Sequence, residues 1–221
     1  MRSAAPTSEL EDGLRDAGDR IVVGIDEVGR GAWAGPVTVA AVVAGEGPLA
    51  GVRDSKLLAP AARQRAAAAV REWSPAIAVG HAGPEECDAL GMTAALRLAA
   101  ERALAELESV GFAADRVILD GSHDYLGRPG LVRTVVKGDR TVLTVAAASV
   151  VAKTLRDGLM VEAADHYPAY GFDRNRGYPA PVHRIALAGY GPSAIHRRSW
   201  GFMDQVPWPG VPRFERELRL L

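Results

Sequence analysis

The fold is decided by residues 21–43, which read IVVGIDEVGRGAWAGPVTVAAVV. Ile21 to Ile25 is a compact, β-branched run that predicts a buried strand ending at Asp26 and Glu27. A glycine-rich turn follows, and Pro36 to Val43 predicts a second strand that lies close enough to pair antiparallel with the first. The sequence therefore predicts a strand pair with two acidic side chains beside its connecting loop.

The remaining chain predicts three more strands and several helices. The strands are expected at Ala76–Gly80, Val117–Leu119 and Val132–Val136. The helices are expected within residues 1–19 and at Ala59–Trp73, at Pro84–Val110 with a break allowed at Gly91, and at Thr144–Met160. This order of elements predicts an α/β fold with one mixed sheet and helices on both faces.

Three of the predicted strands each lead into an aspartate, namely Asp26, Asp120 and Asp139, and Glu27 follows the first. In open α/β sheets ligands bind outside the carboxyl ends of parallel strands, so neighbouring strands would bring four carboxylates together. Each pair of carboxylates about 5 Å apart repels by about 3 kcal/mol at an effective dielectric of 20, and the cluster must protonate or bind a hard cation. Oxygen ligands favour Mg²⁺ or Mn²⁺, and two such ions suit phosphodiester cleavage. The simpler alternative is that these are polar strand-end and turn residues.

The loop at residues 29–36, GRGAWAGP, resembles a dinucleotide-binding loop only superficially. Its glycine spacing is G-x-G-x-x-x-G, and Pro36 leads into a strand rather than into the helix that would hold a pyrophosphate. A tight loop with exposed backbone remains, and Arg30 could meet a phosphate there.

Composition and charge exclude several classes of protein. The 221 residues hold 26 Lys+Arg, 27 Asp+Glu and one Cys, which excludes a disulfide framework and a cysteine-rich zinc site. The net charge of −1 hides an acidic front, with 12 basic and 19 acidic residues up to position 127, and a basic back with 14 and 8. The start of the chain lacks the apolar segment of a secretory signal, and no apolar stretch reaches the roughly 20 residues of a membrane span. We therefore expect a cytoplasmic protein without membrane contact.

Seven segments together resemble the motifs of ribonuclease HII, the type 2 ribonuclease H family. They are GIDEVGRGAWAGPV at 24–37, DSK at 54–56, LDG at 119–121, KGD at 137–139, AAASVVAKTLRD at 146–157, NRGYP at 175–179 and HRRSW at 196–200. They cover about residues 20–200 in matching order. The resemblance implies a ribonuclease H-like fold with a five-stranded mixed sheet and a small helical C-terminal extension. It divides the chain into an N-terminal extension at 1–19, a catalytic domain at 20–200 and a tail at 201–221.

The resemblance also implies an activity and its site residues. The activity is an endonuclease that cuts RNA in RNA/DNA hybrids and nicks 5′ of ribonucleotides embedded in duplex DNA, leaving a 5′-phosphate and a 3′-hydroxyl. Such an enzyme serves ribonucleotide excision repair and DNA replication. The catalytic metal ligands, for two Mg²⁺ or Mn²⁺ ions, would be Asp26, Glu27, Asp120 and Asp139. The backbone of Gly29, Arg30 and Gly31 would hold the junction after the ribose, and Tyr178 would stack on the sugar.

Lysine usage adds a further prediction. The chain has only three lysines, Lys56, Lys137 and Lys153, and all three lie in the family-like segments. Because lysine is a compact point charge, we expect Lys56 and Lys153 to contact backbone phosphate or to balance the carboxylates. Asp157 is interpreted as support for the site or for Lys153. His183 and His196 are interpreted as structural or phosphate-proximal residues.

The alternatives and partners complete the sequence-based predictions. Another nuclease on the same fold, such as a Holliday-junction resolvase, would share the carboxylates but lack GRG and the NRGY tyrosine. A non-catalytic nucleic-acid-binding protein would be expected to lose a carboxylate, and this chain keeps all four. We expect a monomer whose partners are hybrid and ribonucleotide-containing duplexes. A sliding clamp could bind Gln205 and the apolar residues of the tail, but no convincing clamp motif is present.

Overall fold

The computed structural model describes residues 5–52, 55 and 58–206. Its sheet has five strands in the order β3-β2-β1-β4-β5. The strands are β1 (Val22–Val28), β2 (Val37–Val43), β3 (Ile77–Ala82), β4 (Arg116–Asp120) and β5 (Val132–Val135). β2 pairs antiparallel with both β1 and β3, whereas β4 pairs parallel with both β1 and β5. The predicted mixed five-stranded sheet is confirmed.

Helices cover both faces of the sheet. They are α1 (Glu9–Asp16), α2 (Pro60–Trp73), α3 (Pro84–Leu90), α4 (Met92–Ser109), α5 (Gly138–Thr141), α6 (Leu143–His166), α7 (Phe172–Asn175) and α8 (Pro181–Tyr190). Short 3₁₀ helices lie at Pro168–Tyr170 and Gly201–Gln205. In the described part of the chain, no helix is long and apolar enough to cross a membrane.

The alternation of side chains along β2 separates the two layers of the core. Val37, Val39, Ala41 and Val43 pack with α4, because successive strand residues point to opposite faces. Ala40 and Val42 pack on the other face with α2 and α6. Small residues let α6 approach the sheet closely: a Cβ on Gly24 of β1 would lie 2.5 Å from the Cβ of Thr144. This close approach brings α6 alongside the strand that carries Asp26.

The N-terminal helix α1 is tied to the same body. Glu11 is buried, and its Oε1 accepts hydrogen bonds from the backbone N–H of Thr144 at 2.7 Å and from its hydroxyl at 2.8 Å. Thr7 forms a bridge with Val142. These bonds sit at the start of α6, so α1 helps to set the position of that helix.

The structure corrects three predicted boundaries. β1 continues to Val28, so Asp26 and Glu27 lie within the strand and not at its end. The reason is that the parallel ladder with β4 stops at Ile25, while the antiparallel ladder with β2 runs on to Val28. The second correction is that α6 ends at His166 rather than at Met160. The third is that Asp139 lies in the first turn of α5, not directly after a strand. The break allowed at Gly91 is confirmed, with φ at 78°.

Candidate active site

The acidic residues lie near the carboxyl ends of three adjacent parallel strands, β1, β4 and β5. Asp26 lies one residue beyond the last parallel pair between β1 and β4, and Asp120 is the last residue of β4. Asp139 follows β5, one residue into α5. The sheet therefore places these carboxylates at one edge, where ligands bind in α/β folds.

Asp26 is nearly fully buried, at 6% exposure. Its Oδ1 accepts a hydrogen bond from the Glu27 backbone N–H at 2.8 Å. Burial raises the pKa of Asp26 well above its usual range, and the negative charges of Glu27 and then of Asp120 raise it further. A hydrogen bond from the Ser149 hydroxyl on α6 opposes that rise. The charges of Glu27 and Asp120 thus each disfavour the ionised form of Asp26.

Asp120 and Asp139 are linked through the backbone between them. The Gly138 N–H donates to Asp120 Oδ1 at 2.7 Å. The preceding residue, Lys137, adopts a left-handed conformation with φ at 60°, which is costly for a residue with a side chain. Asp139, which follows Gly138, is buried. A strained turn therefore holds the KGD segment against the end of β4.

The acidic edge fits a hard divalent cation, although it is not a preassembled metal site. Within the described residues, no three histidine, cysteine or acidic side chains are already arranged to hold a metal ion. The donors are all carboxylate oxygens, and their mutual repulsion is what a divalent cation would relieve. The hydroxyl of Tyr125 is buried and has no hydrogen-bond partner among the described residues. Burial raises the pKa of Tyr125 well above its usual value, and the negative charges of Glu27, Asp26 and Asp120 raise it further. Asp26, Glu27, Asp120 and Asp139 are the residues that would hold such a cation, and its positive charge would offset the repulsion among them.

The glycine-rich loop lies beside this edge and contacts Tyr178. The Gly29 N–H donates to the Tyr178 hydroxyl at 3.1 Å, and the Arg30 guanidinium lies 3.9 Å from the Glu27 carboxylate. Gly177 accepts a hydrogen bond from the Trp33 N–H at 2.8 Å, so the NRGY segment and the loop are joined by main chain. The structure therefore brings together the predicted residues Gly29, Arg30, Gly31 and Tyr178.

Two buried arginines that the sequence motifs did not single out hold this loop. Arg156 on α6 donates to the carbonyls of Pro36, Arg176 and Ala34 at 2.8, 2.9 and 3.0 Å. Its guanidinium also lies 5.4 Å from the centre of the Tyr178 ring. Arg197 donates to the carbonyls of Arg30 and Gly35. The sequence feature that could have identified them is their position inside the family-like segments AKTLRD and HRRSW.

Lys153 lies near the loop but is already paired. Its Nζ is 2.6 Å from Asp157 Oδ1, and Arg63 Nη1 is 3.0 Å from Asp157 Oδ2. Lys153 Nζ is also 5.8 Å from the centre of the Tyr178 ring. The interpretation of Asp157 as support for Lys153 matches this geometry, and a phosphate contact of Lys153 stays a prediction. Lys56 lies outside the described residues.

A buried histidine pair sits behind Tyr178. His183 Nδ1 lies 2.9 Å from the Tyr178 carbonyl, and the Nε2 atoms of His183 and His196 are 2.9 Å apart. The Ser193 N–H donates to His196 Nδ1 at 2.9 Å. A carbonyl only accepts, so His183 carries its proton on Nδ1 and His196 carries its proton on Nε2. The chain of hydrogen bonds requires both rings to be neutral, and the interpretation of both residues as structural fits this arrangement.

This pair predicts a loss of stability in acid. Burial, the neighbouring His183 and Arg198 lower the pKa of His196 to about 3, and burial lowers the pKa of His183. In the unfolded chain both rings take up protons below about pH 6.5, so the free energy of unfolding falls as the pH drops below that value. For His196 alone we expect a loss of about 2 kcal/mol between pH 7 and pH 5.

Urea unfolding of the parent and of His196→Phe at both pH values measures this effect. The phenyl ring fills the aromatic cluster but does not titrate, so the variant should lose less stability than the parent between the two pH values. Equal losses in the two proteins would contradict the prediction.

Sequence and structure comparisons identify the family. The profile of the ribonuclease HII family matches residues 23–203. The chain belongs to the ribonuclease HII family. It is accordingly an endoribonuclease, a hydrolase of phosphodiester bonds. A ribonuclease HII from Streptomyces avermitilis is 53% identical over 204 residues, which cover 91% of this chain and 86% of that protein.

Solved structures of related enzymes share the fold. The crystal structure of ribonuclease H2 from Pyrococcus horikoshii OT3 matches with a TM-score of 0.69 and 25% identity, over 84% of this chain and 96% of that one. Bst-RNase HIII in complex with Mn²⁺ matches with a TM-score of 0.68 and 22% identity, over 93% and 75%. The ribonuclease H-like fold expected from the sequence motifs of this ribonuclease HII family member is confirmed.

Proposed function

We propose that this endoribonuclease hydrolyses the RNA strand of RNA/DNA hybrids and nicks 5′ of ribonucleotides embedded in duplex DNA, as in ribonucleotide excision repair. The observation that carries the proposal is the position of the Gly29–Gly31 turn. It connects directly to the acidic strand β1 on one side and contacts Tyr178 on the other. A ribose held at this turn would have its phosphodiester beside the carboxylates.

The turn offers donors suited to a ribose hydroxyl. The Ala32 N–H donates to the Gly29 carbonyl at 3.2 Å, which closes the turn. Among the described residues, the N–H groups of Arg30 and Gly31 have no protein acceptor. Arg30 and Gly31 are both exposed, so a ligand can reach this part of the turn. Two free amides on an exposed turn can bind an oxygen such as the 2′-hydroxyl, which distinguishes RNA from DNA.

Tyr178 is well placed to support the sugar. Its hydroxyl accepts the Gly29 amide, and its ring lies near the cations of both Lys153 and Arg156. These contacts fix the ring without an aromatic neighbour covering it in the described part of the chain. Tyr178 is only partly buried, and its accessible part would support the sugar that follows the ribonucleotide.

The carboxylates Asp26, Glu27, Asp120 and Asp139 would hold two Mg²⁺ or Mn²⁺ ions. When bound, such ions activate a water and stabilise the leaving oxygen, which gives a 5′-phosphate and a 3′-hydroxyl. The protein fixes Asp26 with the Glu27 amide and Ser149, and it fixes Asp120 with the Gly138 amide. These bonds orient the donors before a cation arrives.

The duplex backbone would lie along the basic side of the site. Arg63, Lys153 and Arg176 surround the carboxylate of Asp157, with three positive charges around one negative charge. The excess of positive charge favours phosphate, and binding of this kind weakens as salt rises. We also propose that the protein is a monomer and that it acts in the cytoplasm. A sliding-clamp contact, for which we find no supporting motif, would fall largely on residues 207–221, outside the described part of the chain.

The direct test uses a labelled DNA duplex with one internal ribonucleotide, a matched all-DNA duplex and a full RNA/DNA hybrid. With Mg²⁺ or Mn²⁺ we expect a single nick 5′ of the ribonucleotide, cuts along the hybrid RNA strand, and no cut in the all-DNA duplex. Chelation with EDTA should remove both activities. Cleavage of the hybrid without the single-ribonucleotide nick would restrict the proposal to hybrids, and cleavage of the all-DNA duplex would contradict it.

A further inference from the structure

Arg197 is buried at 1% exposure in the segment after α8, far along the chain from the glycine-rich turn. Its Nη1 donates to the Arg30 carbonyl at 3.1 Å, and its Nε and Nη2 donate to the Gly35 carbonyl at 3.0 and 2.9 Å. Its own backbone N–H donates to the Trp33 carbonyl at 2.8 Å. One residue therefore holds three carbonyls of the loop, at its start, middle and end.

The contact with Arg30 fixes the direction of the next amide. A trans peptide is planar, and its C=O and N–H point in opposite directions. Because the Arg30 carbonyl points inward to the Arg197 guanidinium, the Gly31 N–H of the same peptide points outward. Gly31 is exposed, and its N–H has no acceptor among the described residues. The orientation of a donor on the surface is thus set by a side chain in the interior.

Arginine suits this role for a geometric reason. The planar guanidinium presents its donors at fixed angles, so the two carbonyls are held at a fixed separation. Lysine has one flexible ammonium and cannot hold both carbonyls in the same plane. Burial of a charge without a partner is costly, and among the described residues Arg197 forms no salt bridge. Backbone carbonyls alone satisfy its guanidinium.

We propose that Arg197 is a positioning residue that aims the Gly31 amide at the ribose and so determines selectivity for ribonucleotides over deoxyribonucleotides. This inference rests on the proposed function, since it names the residue that sets the ribose contact of that site. Arg156 has a different role, because its three carbonyl partners are Pro36, Arg176 and Ala34, none of which belongs to the peptide of the Gly31 amide.

The test measures how strongly each protein prefers a ribonucleotide. Fluorescence anisotropy gives Kd for a labelled duplex with one ribonucleotide and for the all-DNA duplex, in EDTA so that no cleavage occurs. Nicking of the first duplex with Mg²⁺ gives kcat and KM. For Arg197→Lys and Arg197→Met we expect the ratio of the two Kd values to fall toward one and KM to rise. A displaced contact of about 1 Å can cost about 100-fold, so we expect a loss of that order in kcat/KM.

Two comparisons separate positioning from a general loss of structure. Leu107→Ala removes a buried side chain from the last turns of α4, which has no contact with the glycine-rich turn, and it should lower the melting temperature while leaving the Kd ratio intact. Gly31→Pro removes the amide itself, and it should reduce the Kd ratio more than Gly31→Ala, which keeps the amide. If Arg197 acts through that amide, Arg197→Lys should add little to Gly31→Pro.

The outcomes distinguish the inference from the function beneath it. A parent protein that neither nicks nor prefers the ribonucleotide duplex would overturn the proposed function. A parent that does both, with Arg197→Lys and Arg197→Met keeping the same Kd ratio, would overturn the inference alone. Additive losses in the double variant would also overturn it. If Arg197→Met does not fold, the lysine variant and the double variant still decide.

Discussion

Asp120→Asn is expected to reduce metal-dependent nicking by about a thousandfold or more. The carboxylate ends β4 beside Asp26, and removal of its charge weakens the attraction of the acidic edge for a divalent cation. Loss of about 4 kcal/mol of metal-mediated stabilisation of the transition state corresponds to about a thousandfold in rate. The Asn side-chain oxygen can still accept the Gly138 amide, so the local backbone should be retained.

The stability of this variant should not fall. Asp120 is one of the charges that raise the pKa of Asp26, so removing it relieves repulsion in the metal-free protein. We expect the melting temperature to be equal to or higher than that of the parent, while calorimetric titration shows weaker Mn²⁺ binding. Asp16→Asn, an exposed aspartate at the end of α1, makes the same charge change away from the site. An Asp120→Asn enzyme as active as the Asp16→Asn control would contradict the metal-ligand assignment.

Gly29→Ala is expected to lower both stability and activity. Gly29 has φ at 90°, and a Cβ there would lie 2.2 Å from Arg156 Nε and 2.7 Å from the Pro36 carbonyl oxygen. The left-handed backbone costs about 1–2 kcal/mol for a residue with a Cβ, and displacing a buried guanidinium from its carbonyls costs about 1–3 kcal/mol more. The Gly29 amide would also move from the Tyr178 hydroxyl, so we expect about a 100-fold loss in kcat/KM.

Gly111 offers a matched control for the backbone cost. It has φ at 95°, and a Cβ there would meet nothing within 4 Å. Gly111→Ala should therefore show the conformational cost alone, of about 1–2 kcal/mol, with unchanged kcat/KM. Chemical unfolding and steady-state nicking of both variants measure the difference. Equal losses of stability in the two variants would show that the clash with Arg156 is relieved at no cost.

The sequence was enough to predict the sheet and its acidic edge. The β-branched runs in β1 and β2, the aspartate at the end of β4 and the aspartate after β5 are local patterns that a short window reveals. The end of β1 was predicted wrongly because it depends on which neighbour continues the ladder. The antiparallel partner β2 extends the strand past Asp26, and this pairing is not visible within the strand itself.

The support of the site could not be predicted from local pattern. Arg156 and Arg197 are ordinary basic residues within their own segments, and their partners Pro36 and Gly35 lie 120 and 162 positions away along the chain. The histidine pair likewise shows no recognisable spacing in the sequence. Its role depends on the contacts with Tyr178 and Ser193, which only the folded structure reveals. The buried tyrosine beside the carboxylates was missed for the same reason.

The hydrogen bonds from Arg197 to the glycine-rich turn have a consequence for biosynthesis. Arg30 and Arg197 are 167 positions apart. At about 5–20 residues per second, the ribosome completes the second roughly 8–33 s after the first. During that interval the glycine-rich turn has its sequence but not the guanidinium that orients it. If Arg197 positions the Gly31 amide as proposed, the emerging chain cannot orient that amide until Arg197 has been added and has packed against the turn.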